Sequence, residues 1–491
     1  MSWEAIAEKK CQALKSSIPA EWVIPKDIFP PEDQLDVTTF PRESGIFTDR
    51  ELEITSTPAQ TSSQQLTNCL SEIFFDRAIS QAQELDEYYR STGKTKGPFH
   101  GLPISIKDNF NLIGYDSTVG FTSLVNDPAT YNSTLVDLLL GAGAVLYCKT
   151  NVPTAMMIAE SVNNVFGRTV NSRNRKLTSG GSSGGESALI AFGGSRLVVG
   201  TDIGGSLRIP SACTGIFTIR PSVNGTMATT LEEIVLWAKT VVGQQPWLID
   251  PKCLPIPWHP VEVKKPLKID VIYHDGLVTP TPPVARALEE TVFKLKAAGH
   301  EIVPWTPTEH KVLTSLLSQM FLADGGKLVA KLLEPTGEPL RPEMAMYGNA
   351  KEVGAHEMWQ VHLKRNALCK SYLDRWNEVG IDAVLCPVTP YSAVEHGKFA
   401  YVGYTGVFNI LDYPSDSWPC GVKADKELDK AYVDHKPLSD IDAQVQNDYS
   451  AEAVHGMPVN LQLVGRRLED ESALAMVDVI LKDIALANGT K

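Results

Sequence analysis

Apolar strand-like runs alternating with helical segments predict an α/β protein with a mixed, largely buried β-sheet. Two observations carry that prediction. A helix, a glycine stop and a strand follow one another at residues 134–140, Gly141 with Gly143, and 144–148; the same order returns at 283–297, Gly299 and 301–305. In addition, residues 381–386 and 458–464 are short apolar runs of the kind that form buried strands.

Along the chain, residues 1–60 combine an amphipathic start (Trp3, Ile6, Ala7, Cys11) with a proline-dotted stretch (Pro25, Pro30, Pro31, Pro41), which reads as a wrapping segment. Residues 66–89 read as a strand and then a helix, with Ala78, Ala82, Leu85 and Tyr89 at helical spacing. A strand is expected at 101–107 and another at 268–273, a helix at 230–242, and a closing helix at 471–487. The expected organisation is an N-terminal segment, 1–65, followed by one catalytic domain, 66–491.

Charge narrows the function classes. With 58 acidic and 45 basic side chains the net charge is −13. That disfavours nucleic acid and anionic membrane as standing partners, because phosphate attracts basic surface. No run approaches the roughly 18 apolar residues of a membrane span; the stretch 135–148 is interrupted by Asp137, Gly141 and Gly143. Eight scattered cysteines without a CxxC read as reduced thiols, and the first ten residues lack an apolar signal core, so the cytoplasm is expected. A homodimer is left open.

Glycine and serine concentrate in two segments, 178–189 and 200–210. A flexible linker has such a composition. A linker, however, is not followed at once by core-forming runs such as 188–192 and 197–200. Acyl transfer from an amide needs a nucleophile, a base, an acid for the departing amine, and N–H donors for the oxyanion. Ile203, Gly204, Gly205 and Ser206 suit the last need, since glycines let consecutive N–H groups converge on one oxygen.

Competing motifs fare worse. Residues 181–185 match G-x-S-x-G, but a nucleophile elbow follows a strand, and the preceding 174–180 is polar. His356 and His362 are six apart, which does not put two imidazoles on one helix face as a zinc helix requires. No phosphate-binding Gly-Lys-Ser/Thr is present. A distant histidine completing a serine triad stays open as the mechanistic rival. No metal and no cofactor is expected.

The block running from Gly180, Gly181, Ser182, Ser183, Gly184, Gly185 and Glu186 to Asp202, Ile203, Gly204, Gly205, Ser206, Leu207 and Arg208 resembles the amidase signature family. Residues 101–110, around Lys107, resemble its catalytic-lysine strand; 149–153 and 456–465 also match, so the similarity runs from about Leu66 onward. Residues 247–251 and 386–391 are most similar to the fungal acetamidase or general amidase branch. The resemblance implies one large domain whose mixed, twisted central sheet is covered by helices on both faces. It implies Ser206 as nucleophile, Lys107 as a buried, neutral base, and Ser182 as the bridging serine on a cis Gly181–Ser182 peptide. The backbone N–H groups of Ile203, Gly204, Gly205 and Ser206 would form the oxyanion hole. Ser183, Asp202 and Arg208 would support the loop, the last two as an ion pair, and Met156, Met157 and Gly181 would contact substrate.

The function implied is hydrolysis of small to medium, acetamide-like carboxylic amides to a carboxylate plus ammonia or an amine, with a small-molecule amide as the substrate partner. The chain departs from the family in being shorter between Ile54 and Leu66 and after Ser222. Those shortenings motivate the rival of an impaired, non-catalytic scaffold. An amidotransferase subunit is the enzymatic rival, and the acidic balance speaks against it.

Overall fold

The computed structural model describes residues 1–48 and 57–487. Its principal strands, in chain order, are β1 (Leu70–Ile73), β2 (Pro103–Lys107), β3 (Val145–Thr150), β4 (Leu197–Thr201), β5 (Phe217–Arg220), β6 (Asn224–Ala228), β7 (Lys268–Val271), β8 (Glu301–Pro304), β9 (Ala383–Pro387), β10 (Ser415–Lys423) and β11 (Pro458–Val464). The principal helices are α1 (Trp3–Ser16), α2 (Thr57–Thr67), α3 (Phe75–Thr92), α4 (Thr134–Gly141), α5 (Gly184–Phe192), α6 (Arg208–Thr214), α7 (Leu231–Gly243), α8 (Pro282–Ala297), α9 (His310–Phe321), α10 (Ala355–Val379), α11 (Gly403–Leu411) and α12 (Asp470–Ala487). The class is α/β, as the alternating pattern predicts.

The chain divides into two compact units. The first comprises residues 1–201, 226–259 and 331–341; the second comprises 202–225, 260–330 and 342–491.

In the first unit the strand order is β1-β3-β2-β4-β6. β2 runs parallel to both neighbours, with Pro103 opposite Val145 and Ile104 opposite Leu197, while β1 is antiparallel to β3. The carboxyl ends of β2 and β4 therefore lie side by side, at Lys107 and Thr201. In parallel α/β sheets that end is where ligand-binding loops emerge. α3 lays Phe75, Ala78 and Leu85 against Val145, Tyr147 and Cys148, with Leu14 of α1 beside them. Each of the larger aliphatic or phenyl side chains, Leu14, Phe75, Leu85 and Val145, contributes about 1.5–3 kcal/mol on removal from water. Gly93, at φ 66°, closes α3 in the left-handed conformation that suits glycine.

In the second unit the order is β5-β10-β11-β9-β7-β8. β7 is parallel to β8 and β9, and β11 is antiparallel to β9 and β10. α9, α10 and α11 pack through Leu313, Leu316, Leu317, Tyr372, Trp376, Val407 and Phe408.

Several expected boundaries agree closely: α4, β3 and β11 lie where the pattern places them, and α12 begins one residue early. Others do not. The polar run at 174–178 is a strand, paired with Val170–Asn171 and tied by Asn171 Nδ2 donating to the Thr178 carbonyl. A short ladder of this kind is held by backbone and amide hydrogen bonds, so apolar alternation does not reveal it. The expected shortening near Ile54 begins outside the described residues; its remainder is the helix α2. No described helix is long and apolar enough to cross a membrane.

Candidate active site

Lys107 ends β2 and is fully buried. Its Nζ is hydrogen-bonded to Ser182 Oγ at 2.7 Å, and it donates to Thr201 Oγ1 at 2.8 Å and to the Thr201 carbonyl at 3.2 Å. Strand pairing explains the Thr201 contacts, because parallel β2 and β4 finish together.

Ser182 is presented by a loop that only glycines allow. The Gly181–Ser182 peptide is cis. A Cβ on Gly181 would fall 2.5 Å from the Ile158 carbonyl oxygen and 2.7 Å from Glu160 N. The same closeness brings the segment carrying half-buried Met156 and Met157 alongside the serine loop. Ser183 Oγ reaches the Thr201 carbonyl at 3.5 Å, a support for the loop and no sign of an elbow nucleophile.

Glu186, in the first turn of α5, is fully buried. Ser105 Oγ donates to its Oε2 at 2.5 Å. Ser105 lies two residues before Lys107, on the same face of β2. Burial pushes the Glu186 carboxyl up to about 8, against the lowering from Ser105, Thr150 and Lys107. A second buried lysine, Lys149, donates instead to Ser117 Oγ at 2.7 Å and to the Asp116 carbonyl.

In the second unit, the Asp202–Arg208 loop is organised around a buried ion pair, as expected. Arg208 Nε and Nη2 donate to the two Asp202 oxygens at 3.0 and 3.1 Å, and both side chains are inaccessible. Asp202 also accepts from Gly205 N at 2.8 Å, Leu207 N at 3.2 Å and Asn409 Nδ2 at 2.8 Å. Burial alone would raise this carboxyl; the guanidinium of Arg208 holds it well below the usual carboxylate range. Arg208 is completed by Gln462 Oε1 at 3.1 Å and Asn409 Oδ1 at 2.6 Å.

This network corrects one expectation. The Gly205 N–H, expected in the oxyanion hole, already donates to Asp202. Gly205 sits at φ 131°, a conformation that glycine tolerates and that turns its N–H inward. The donors left for an oxyanion are Ile203, Gly204 and half-buried Ser206.

Thus the structure joins Lys107, Ser182 and Ser183 in the first unit, and Asp202, Gly205 and Arg208 in the second, where Ser206 also lies. Sequence reasoning missed Thr201, Glu186 and Gln462 as contributors, although all three stand inside the quoted motifs. Thr405 and Asn409 of α11 carry no local signal. His356 and His362, whose spacing does not suit a zinc helix, are exposed, and His100 Nδ1 accepts from Lys96 N at 3.0 Å. Among the described residues no cluster of three or more His, Cys, Asp or Glu is placed to hold a metal ion.

Known proteins place the chain in a family. Acetamidase of Emericella nidulans is 39% identical over 542 aligned positions, covering 98% of this chain and 98% of the relative. Acetamidase of Aspergillus oryzae is 36% identical, again with 98% of each covered. Both alignments exceed the 491 residues of the chain, so those relatives carry stretches absent here. A solved fatty acid amide hydrolase superposes with a TM-score of 0.93 at 30% identity, covering 98% of this chain and 95% of that one. The family model described as Amidase matches residues 55–474, and the chain therefore belongs to the amidase signature family of hydrolases.

Proposed function

We propose that this amidase-family hydrolase cleaves small to medium carboxylic amides through a serine acyl-enzyme. The observation that carries the proposal is the buried Lys107 amine, 2.7 Å from Ser182 Oγ and held beside it by Thr201.

In this reading Ser206 Oγ attacks the amide carbon. Its proton passes to Ser182 Oγ as the Ser182 proton passes to the lone pair of Lys107 Nζ. The N–H groups of Ile203, Gly204 and Ser206 stabilise the oxyanion. On collapse the relay reverses, the departing nitrogen takes the proton, and the carbon–nitrogen bond breaks. Water then attacks the ester through the same relay, releasing the carboxylate and restoring Ser206. Met156 and Met157 flank the acyl group. The impaired-scaffold alternative is disfavoured by the intact Lys107–Ser182 pair. None of the eight cysteines forms a disulfide, and we place the enzyme in a reducing cytoplasm.

The test measures ammonia release from acetamide, benzamide and longer acyl amides, together with fluorophosphonate labelling. Ser206→Ala and Lys107→Ala should each lower kcat by at least ~10³-fold while circular dichroism stays native. Labelling that persists in Ser206→Ala would move the nucleophile elsewhere, and turnover retained in Lys107→Ala would reopen the histidine mechanism.

A further inference from the structure

The Gly204–Gly205 peptide is gripped at both ends. Its N–H donates to Asp202 Oδ1 at 2.8 Å, and its carbonyl, Gly204 O, lies 2.7 Å from Thr405 Oγ1. Thr405 is fully buried near the start of α11. Its single hydroxyl proton has a second acceptor within reach, the Val402 carbonyl at 3.0 Å. Only the Gly204 direction avoids setting two oxygen lone pairs against each other at the shorter distance. One helical turn later, on the same face, Asn409 bridges the ion pair: Nδ2 donates to Asp202 Oδ1 at 2.8 Å and Oδ1 accepts from Arg208 Nη2 at 2.6 Å. The fit also accounts for Gly205, since a Cβ there would sit 2.3 Å from Thr405 Oγ1.

We propose that α11 is the positioning element of the nucleophile loop, with Thr405 locking the Gly204–Gly205 peptide plane so that the flanking N–H groups of Gly204 and Ser206 keep their aim. Rotation of that plane would exchange the Gly204 carbonyl with the Gly205 N–H, set the carbonyl oxygen against the Asp202 carboxylate and turn the flanking N–H groups off their aim. Asn409 holds the Asp202–Arg208 pair to the same helix, so the loop and its anchor move as one body. Neither residue touches substrate in this account. The inference rests on Ser206 being the nucleophile.

The experiment compares wild type, Thr405→Val and Thr405→Ser with an acetamide-class substrate. Rates are normalised to active sites counted by fluorophosphonate labelling, and thermal midpoints are recorded in parallel. Valine keeps the shape and the methyl group but removes the hydroxyl; serine keeps the hydroxyl. Thr405→Val should lower kcat per labelled site about tenfold, equivalent to ~1.4 kcal/mol of transition-state stabilisation, with KM changed less than about threefold and the pH profile unshifted. The phosphonylation rate of Ser206 should fall in parallel, because it uses the same donors. Thr405→Ser should recover most of both. A Thr405→Val enzyme whose kcat per labelled site stays within twofold of wild type overturns the positioning role, whatever its thermal midpoint. A loss of labelled sites alone, at constant kcat per site, also overturns it and leaves a structural contact. Failure of the underlying reading looks different: wild type itself would lack Ser206-dependent turnover.

Discussion

Glu186→Gln should stabilise this protein, and the gain should grow with pH. In the folded chain the Glu186 carboxyl is buried and pushed up to about 8, whereas in an unfolded chain it titrates near 4.3. Between these values the folded state binds the proton and the unfolded state does not, so stability falls as pH rises. The favourable term is fully present below the unfolded value and is lost as pH climbs through the folded one. Each unit of displacement corresponds to about 1.4 kcal/mol. The cost is therefore roughly 0.6 kcal/mol at pH 4.5, about 3.6 kcal/mol at pH 7 and ~5 kcal/mol above pH 8. Glutamine is nearly isosteric, keeps an acceptor for Ser105 and carries no charge to desolvate. Urea denaturation of both proteins from pH 4.5 to 8.5 isolates the term, since the other groups cancel in the difference. A stability difference flat across that range would refute the reasoning, and a difference that shrinks with pH would reverse its sign.

Other outcomes follow from the same geometry. Asp202→Asn should cost about 3–5 kcal/mol in urea denaturation, because it leaves the Arg208 guanidinium buried without its counter-charge. That penalty should hold steady from pH 5 to 8. The folded Asp202 carboxyl is depressed, so its contribution is lost only as pH falls below the ordinary carboxylate range; a loss under about 1 kcal/mol at pH 7 would contradict the anchoring role. His310 is fully buried on α9 and, chiefly through burial, lowered to about 3. With the folded value depressed, acid protonates the unfolded imidazole first, so stability declines as pH falls from about 6.5 toward 3. His310→Phe, facing Tyr372 and Phe408, should remove about 2 kcal/mol of that decline by pH 5, read from thermal midpoints at pH 5 and 7; an unchanged acid slope would count against it.

How much of the site is legible along the chain depends on how local each interaction is. The glycines around Ser182 and Ser206 are visible because only a residue without Cβ fits where the Ile158 carbonyl and Thr405 Oγ1 approach. The Asp202–Arg208 pair is visible because its partners are six residues apart on one loop. Lys107 is visible only through its resemblance to the catalytic-lysine strand, since a lysine after an apolar strand is ordinarily just exposed. α9 does carry a helical stripe, Leu313, Leu316 and Leu317, whereas α11, buried almost all round, and β10, with its interior Pro419, offer no clear period.

Chemical inventory, helix–glycine–strand order and the two glycine–serine loops are thus properties of the linear chain, because each depends on neighbours within a few residues. The environment of each group is not. Which oxygen takes the Gly205 N–H, why Glu186 keeps its proton, and how Thr405 and Asn409 come to grip a loop some 200 residues away are set by packing of distant segments. Burial and hydrogen-bond geometry are collective quantities, and no single stretch of residues contains them.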